Sequence, residues 1–411
     1  MINVSTHTLN NGLRVLHHYN GATRMVAVNI LFDVGSRDET PEHTGLAHLM
    51  EHLMFTGSKN APSFDDALQA AGGESNAWTS ADITNYYDIL PAQNIETALW
   101  LESDRLLNLN LNHQSIALQK SVVTEEFKQR YLNQPYGDLY HLLHGAAFTV
   151  HPYRWPTIGL NVEDIASVDD EVVADFYHSH YAVNNAILCV AGNVTFDKTI
   201  ALVNKWFGDI PPHEVAARSL PREPRQQSPR LVERTAPVPA DMIFRAYHMC
   251  SRTDHDFPAT DLLSDILANG TSSRFYRNVV TKKGIFTELD ASVAGLYDPG
   301  LFYVRGRLNP GCSFSDAEKA IDEELEKLIA EGVTDYEVQK YTNKFLANDM
   351  FESVHYVEKA ARLCRYELLM GANEINNEVA RYRAVDAGHI MNVAREVLRP
   401  ENCTTLHYHR Q

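Results

Sequence analysis

Two patterns of apolar residues recur along the chain and predict its secondary structure. Short apolar runs such as Met25–Phe32 and residues 242–247 predict buried strands. Other apolar stretches, such as residues 46–54 and 262–267, are each followed by Gly, Ser and Thr and predict helices. Because strands and long helices alternate irregularly and some strands are neighbours in sequence, we predict the α+β class.

The pattern repeats in the two halves of the chain. Each half has an apolar strand, an acidic stretch with a proline, a helix followed by Gly, Ser and Thr, and a closing strand that begins at an asparagine, Asn185 or Asn402. Residues 213–229 are rich in Pro, Arg, Gln and Ser and lack apolar periodicity, which predicts a linker. We therefore predict two homologous domains, 1–212 and 230–411, each a mixed, mostly antiparallel sheet with helices packed on one face.

Composition limits the partners and the compartment. The 411 residues are 44% hydrophobic and 22% charged, as in ordinary globular proteins, and no apolar run is long enough to cross a membrane. The net charge of −17 argues against binding to nucleic acid or to an anionic membrane. Five scattered cysteines indicate reduced thiols, and no secretory signal is visible, so we expect a cytoplasmic protein. A periplasmic location would require a leader outside this sequence.

The motif with the clearest chemistry is His-Leu-Met-Glu-His at residues 48–52. On a helix, His48 and His52 share one face, so both imidazoles can bind one zinc ion, and Glu51 lies beside them. The flanking residues 45–55 are mostly apolar, and buried polar groups in such a run need a partner. This is the HxxEH motif of inverted zincins, in which the glutamate acts as the general base.

A zinc site of this kind needs a third protein ligand. The stretch 118–128 is predicted to be helical and carries adjacent glutamates, Glu125 and Glu126. They point about 100° apart, so only one can face the metal, and spacing alone leaves the two equally plausible. In the second half, Asp261, Ser264 and Asp265 occupy the positions of the motif residues when Gly270 is laid on Gly57. The first half is therefore the candidate catalytic domain.

Several segments together resemble one peptidase family. The motif at 48–52 with Phe55, the Val-Val-x-x-Glu pattern at 122–126, and residues 72–79 and 133–136 are similar to the pitrilysin, insulin-degrading enzyme and mitochondrial processing peptidase family. The resemblance covers the whole chain and is to the small bacterial members. It implies a zinc-dependent endopeptidase that cleaves short or unfolded peptides. It also implies that Glu126 is the third zinc ligand and that Asn76 and Ala77 lie on an edge strand that docks the substrate backbone.

Two positions depart from the family pattern. Gln119 stands where the family has a glutamate that orients a ligand histidine, so we expect weaker zinc binding. Val280 and Thr287 stand where active members have an arginine and a tyrosine that stabilise the oxyanion. The resemblance thus implies a zinc-bearing subunit of a heterodimer, with a homologous partner that supplies the Arg/Tyr pair. The alternative is a catalytically silent peptide-binding or scaffold subunit.

Overall fold

The computed structural model describes residues 1–215 and 217–411; residue 216, in the predicted linker, lies outside the described residues. The chain forms two compact units that are discontinuous in sequence. The first unit comprises Met1–Lys128, Trp155–Leu220 and Asp349–Asn377, and the second comprises Gln129–Arg154, Pro221–Asn348 and Glu378–Gln411. Each unit therefore contains a segment from the other half of the sequence. The predicted linker at residues 213–229, between two homologous domains, stays a prediction.

A six-stranded sheet forms the centre of the first unit. Its strands lie in the order β1-β2-β6-β3-β5-β4. The pair β2 and β6 is parallel, and the other pairs are antiparallel. The strands are β1 Ser5–Thr8, β2 Arg14–Tyr19, β3 Met25–Phe32, β4 Glu74–Thr79, β5 Thr84–Pro91 and β6 Ala186–Gly192.

Helices cover both faces of the central strands of this sheet. The helices of the first unit are α1 Leu46–Leu53, α2 Phe64–Ala70, α3 Ile95–Asn108, α4 His113–Phe127, α6 Val162–Ala166, α7 Asp170–His180, α8 Phe196–Phe207 and α12 Tyr356–Leu369. Arg105 of α3 packs over Tyr86, on one face of β5. Asn29 of β3 points to the opposite face and donates to Cys364 of α12. As a result β3 and β6 are buried along almost their whole length.

The second unit repeats this topology. Its sheet has the order β7-β11-β8-β10-β9, with β7 and β11 parallel and the other pairs antiparallel. Numbered by chain order within each unit, this is the order of β2 to β6 in the first sheet. The strands are β7 Arg230–Ala236, β8 Met242–His248, β9 Phe286–Val293, β10 Leu301–Leu308 and β11 Cys403–Arg410. The predicted α+β class with two mixed, mostly antiparallel sheets is confirmed.

The helices of the second unit pack on this sheet and form its core. They are α5 Leu139–Ala147, α9 Phe257–Ala268, α10 Phe314–Glu331, α13 Glu378–Arg383 and α14 Ala387–Val397, together with most of α11, Asp335–Glu352. Apolar side chains of α9, α10 and α14, such as Leu263, Ile321 and Ile390, lie against the sheet residues Phe302 and Val304 and are fully buried. The positions at which the second half differs from the HxxEH motif lie on α9, between residues of this core.

Candidate metal centre

The motif helix α1 begins at a sharp turn that is fixed by two residues. Gly45 precedes the helix with φ of +90°, and a Cβ atom there would lie 2.7 Å from the carbonyl oxygen of Ile158. Glycine is therefore required by both the backbone conformation and the space. The buried Glu39 carboxylate accepts hydrogen bonds from the N–H groups of Gly45 and Ala47, at 2.8 and 2.9 Å. Burial raises the Glu39 pKa, and these two hydrogen bonds act in the opposite direction.

Three ligand atoms converge between α1 and α4. Glu126 Oε2 lies 3.3 Å from His52 Nε2 and 3.8 Å from His48 Nε2. The three side chains are 13 to 25% exposed, so the cluster lies in a partly covered position that peptide and water can still reach. Two ligands bound at about 2.0–2.1 Å to a tetrahedral zinc ion are about 3.3 Å apart. The two imidazoles and the carboxylate therefore fit a zinc ion in both chemistry and spacing.

The two candidate glutamates of α4 have different surroundings. Glu125 is mostly exposed and pairs with Lys128 at 2.6 Å, whereas Glu126 points toward the two histidines. Gln119, two helical turns before Glu126, is half-buried on the same helix. Its side chain makes no hydrogen bond within the described parts of the chain, 1–215 and 217–411. The weaker zinc binding that we expected from Gln119 stays a prediction.

Glu51 has a partner that the sequence did not indicate. The hydroxyl group of Thr79, at the end of β4, donates a hydrogen bond to Glu51 Oε2. Two buried phenols, Tyr86 and Tyr181, lie near the same carboxylate, and burial raises both pKa values, that of Tyr181 to about 12. Both phenols are thus neutral at physiological pH.

The strand β4 lies at the edge of the first sheet, as the family resemblance implied. The Ala77 N–H group points to the open edge, where the Asn76 side chain accepts its hydrogen bond at 2.8 Å. Because backbone groups alternate along a strand, Ser75 and Thr79 also direct their N–H and C=O groups to this edge. The strand therefore presents backbone groups beside α1, to which an extended peptide can pair.

The second half lacks a matching set of ligands on α9. There, Asp261 accepts a hydrogen bond from Tyr382 at 2.6 Å, Asp265 accepts one from Asn269, and Ser264 donates to the Asp261 backbone at 2.8 Å. Burial raises the pKa values of both aspartates. These polar groups are satisfied within the second unit, and the equivalent helix there is a structural element.

Comparison with known proteins agrees with this arrangement. Residues 14–159 match the family model described as Insulinase (Peptidase family M16), and residues 167–345 match the one described as Peptidase M16 inactive domain. The zinc protease PqqE of Helicobacter pylori is 32% identical over 339 residues, which cover 81% of this chain and 76% of the relative. The chain belongs to the M16 peptidase family.

Two further M16 relatives match over nearly the full length. An uncharacterized zinc protease of Bacillus subtilis, YmxG, is 26% identical over 400 residues, covering 96% of this chain and 95% of the relative. The crystal structure of a protease from Helicobacter pylori superimposes with a TM-score of 0.93 at 28% identity and covers 100% of both chains. The fold and the family are thus shown, and relatives of this chain are named zinc proteases. No helix of the described residues is both long and apolar enough to cross a membrane.

Proposed function

We propose that this chain is a zinc-dependent endopeptidase that hydrolyses short or unfolded peptides. The observation that carries the proposal is the convergence of His48, His52 and Glu126, with Glu51 on the same helix and an open strand edge alongside. His48, His52 and Glu126 would hold one zinc ion. Zinc, when bound, would polarise a carbonyl group and lower the pKa of a water molecule toward neutrality.

Glu51 is the general base of the proposed reaction. Its carboxylate accepts a proton from the attacking water and returns it to the nitrogen of the leaving amine. The peptide bond is thereby replaced by a carboxylic acid and an amine, which become a carboxylate and an ammonium group at neutral pH. The Thr79 hydroxyl group donates to one carboxylate oxygen, Oε2, and fixes the side chain. Thr79 acts through Glu51 and is therefore a positioning residue.

The substrate backbone would pair with β4. The Asn76 side chain accepts the hydrogen bond of the Ala77 N–H group. It must turn away before a substrate carbonyl oxygen can accept from that group. Recognition through backbone groups is independent of the substrate side chains. This matches a preference for short or unfolded peptides, whose backbones can become extended.

The oxyanion pair would come from a homologous partner subunit. Val280 cannot donate a side-chain hydrogen bond, and the Thr287 hydroxyl group donates to the Arg307 backbone at 3.1 Å. The nearby Arg274 does not replace them, because it is held by Glu337 at 2.8 Å and by the Gly332 carbonyl group at 2.7 Å. We therefore propose that the chain is the zinc-bearing subunit of a heterodimer. The five free cysteines favour the cytoplasm as its compartment.

Two observations favour a second function, a catalytically silent peptide-binding or scaffold subunit. Part of the chain matches a model named for an inactive domain, and Gln119 replaces the expected glutamate. The match covers residues 167–345, however, and His48, Glu51, His52 and Glu126 all lie outside it. A silent subunit would therefore not explain why these four residues are present together.

Replacement of Glu51 separates the two functions. We expect Glu51→Gln to keep its zinc content and to lose hydrolysis of an unfolded, fluorescence-quenched polypeptide by about 10²–10⁴-fold. The matched control is Glu125→Gln, on the exposed side of α4, which should keep both zinc and turnover. Equal turnover of Glu51→Gln and the native protein would exclude Glu51 as the base. Tight peptide binding without turnover in all three proteins, measured with the homologous partner present, would support the silent subunit.

A further inference from the structure

A second group of metal-binding side chains lies on the sheet of the second unit. His407 and His409 are two residues apart on β11, so their side chains project from the same face. The parallel neighbour β7 places Glu233 level with His407. One ring nitrogen of each histidine and one carboxylate oxygen of Glu233 lie within 4.8 Å of one another. Two adjacent strands, rather than flexible loops, thus bring the three ligands together.

The distance between His409 and Glu233 suits a shared cation better than a direct hydrogen bond. His409 Nε2 lies 3.5 Å from Glu233 Oε1. A good hydrogen bond between nitrogen and oxygen measures about 2.7–3.2 Å. Two ligands of one tetrahedral zinc ion are about 3.3 Å apart. A cation between these two atoms therefore requires little movement of either side chain.

Neighbouring residues hold both imidazoles in place. Phe314 of α10 stacks on His407 at 4.3 Å between ring centroids and contacts His409 at 4.6 Å. Glu318 Oε1 lies 3.1 Å from His407 Nε2. A carboxylate that contacts a ring nitrogen is a common support for a metal-binding histidine. His407 is 10% exposed, His409 35% and Glu233 65%, so ions reach the group from solvent on the Glu233 side.

A third cluster in the described residues offers a comparison. Asp256 Oδ1 lies 2.8 Å from His389 Nε2 and 3.3 Å from His255 Nδ1. The shorter contact is already a good hydrogen bond, and it lowers the Asp256 pKa. His255 is 88% exposed and stacks on the ring of His389 at 4.7 Å between centroids. This cluster is satisfied without a metal, which makes His389 a suitable control position.

We propose that Glu233, His407 and His409 bind one divalent transition cation of the zinc class. Two imidazoles and a carboxylate suit Zn²⁺, Ni²⁺ and Cu²⁺ rather than Ca²⁺ or Mg²⁺, which prefer oxygen ligands. The cation would join β7 to β11, which are neighbours in the second sheet and are its first and last strands in chain order. Because the unfolded chain does not hold these residues together, binding stabilises the folded protein. The proposal is independent of the peptidase function and of the site on α1.

Zinc titration of a protein without the first site tests this proposal. The full-length His48→Ala/His52→Ala variant, freed of metal, is titrated with Zn²⁺ in a calorimeter, and its melting temperature is measured with and without Zn²⁺. We expect one zinc ion per chain and a higher melting temperature with zinc. Adding His409→Ala should weaken binding by about 100-fold or more and remove the thermal shift. Adding His389→Ala instead should change neither.

Three results would overturn the proposal. They are the absence of zinc binding to the His48→Ala/His52→Ala protein, binding that survives His409→Ala, and equal losses with His409→Ala and His389→Ala. If His409→Ala fails to fold, the same titration uses Glu233→Gln, whose side chain is mostly exposed and whose loss leaves the core intact. The outcomes are read in the same way.

Discussion

Glu125 and Glu126 are neighbours on α4, and their side chains lead to different surroundings. Helical spacing left the two equally plausible as zinc ligands. The structure directs Glu126 to the histidines and Glu125 to Lys128. That His48 and His52 share one face of a helix can be predicted from the sequence, because it depends on local spacing alone. The choice between the glutamates depends on how α4 packs against α1, which local spacing does not specify.

Thr79 was missed for the same reason. It lies far from Glu51 in sequence, and nothing in the pattern of β4 marks one threonine as a partner for a residue on α1. We expect Thr79→Val to keep zinc and to lose about 10- to 100-fold in turnover, because a hydrogen bond to a charged group contributes about 1.5–3 kcal/mol. Thr79→Ser, which keeps the hydroxyl group, should retain most of the activity. Loss of turnover in Thr79→Ser together with full turnover in Thr79→Val would show that the methyl group, and not the hydrogen bond, matters.

At the scale of elements, the start of α1 depends on Glu39. Glu39→Ala leaves the buried N–H groups of Gly45 and Ala47 without their acceptor. We expect unfolding free energy to fall by about 2–4 kcal/mol, measured by urea denaturation, and zinc affinity to fall with it. Glu42→Ala, on the exposed stretch before the helix, is the control and should change stability by less than about 0.5 kcal/mol. An unfolding free energy of Glu39→Ala equal to that of the native protein would contradict the role of Glu39 at the start of α1.

The ion pair between Arg274 and Glu337 gives the second unit a pH-dependent element. Burial raises the Glu337 pKa, but the Arg274 and Thr334 hydrogen bonds outweigh it and lower the pKa to about 2. Since the folded-state pKa is lower than the unfolded value of about 4.3, the ionised group stabilises the protein above that value and the effect fades as pH falls toward 2.

We therefore expect Glu337→Gln to be less stable than the native protein near pH 7, with the difference shrinking as pH falls from about 4 to about 2. Melting temperatures of the two proteins across this range provide the measurement. The control is Glu323→Gln, because Glu323 forms an exposed ion pair with Lys283 and such pairs contribute little to stability. A difference between native protein and Glu337→Gln that stays constant with pH would contradict the account.

The strand pattern could be predicted, but the position of α12 could not. The apolar runs predicted strands in both halves, and the equal strand order of the two sheets agrees with the predicted duplication. The apolar face of α12 shows only that the helix packs on something. That it covers β3 and β6, with Cys364 next to Asn29, is a long-range choice that local pattern does not contain.

At the scale of the whole molecule, the account predicts dependence on a partner. The chain carries the candidate metal centre but has Val280 and Thr287 at the positions that the family resemblance assigns to the oxyanion pair. We expect the purified chain alone to turn over an unfolded peptide at least about 10²-fold more slowly than its complex with the homologous partner, because one oxyanion donor contributes about that much. Glu51→Gln in the complex should abolish the activity. A chain that works at the full rate by itself would refute the heterodimer.

The most direct test of the central claim is the zinc content of two neighbouring variants. In a His409→Ala background, which removes the second proposed site, zinc per chain is measured by elemental mass spectrometry for Glu126→Ala and Glu125→Ala. The account predicts close to one zinc ion for Glu125→Ala, as for the background, and almost none for Glu126→Ala. Equal zinc content in the two variants, or loss with Glu125→Ala instead, would contradict a site formed by His48, His52 and Glu126.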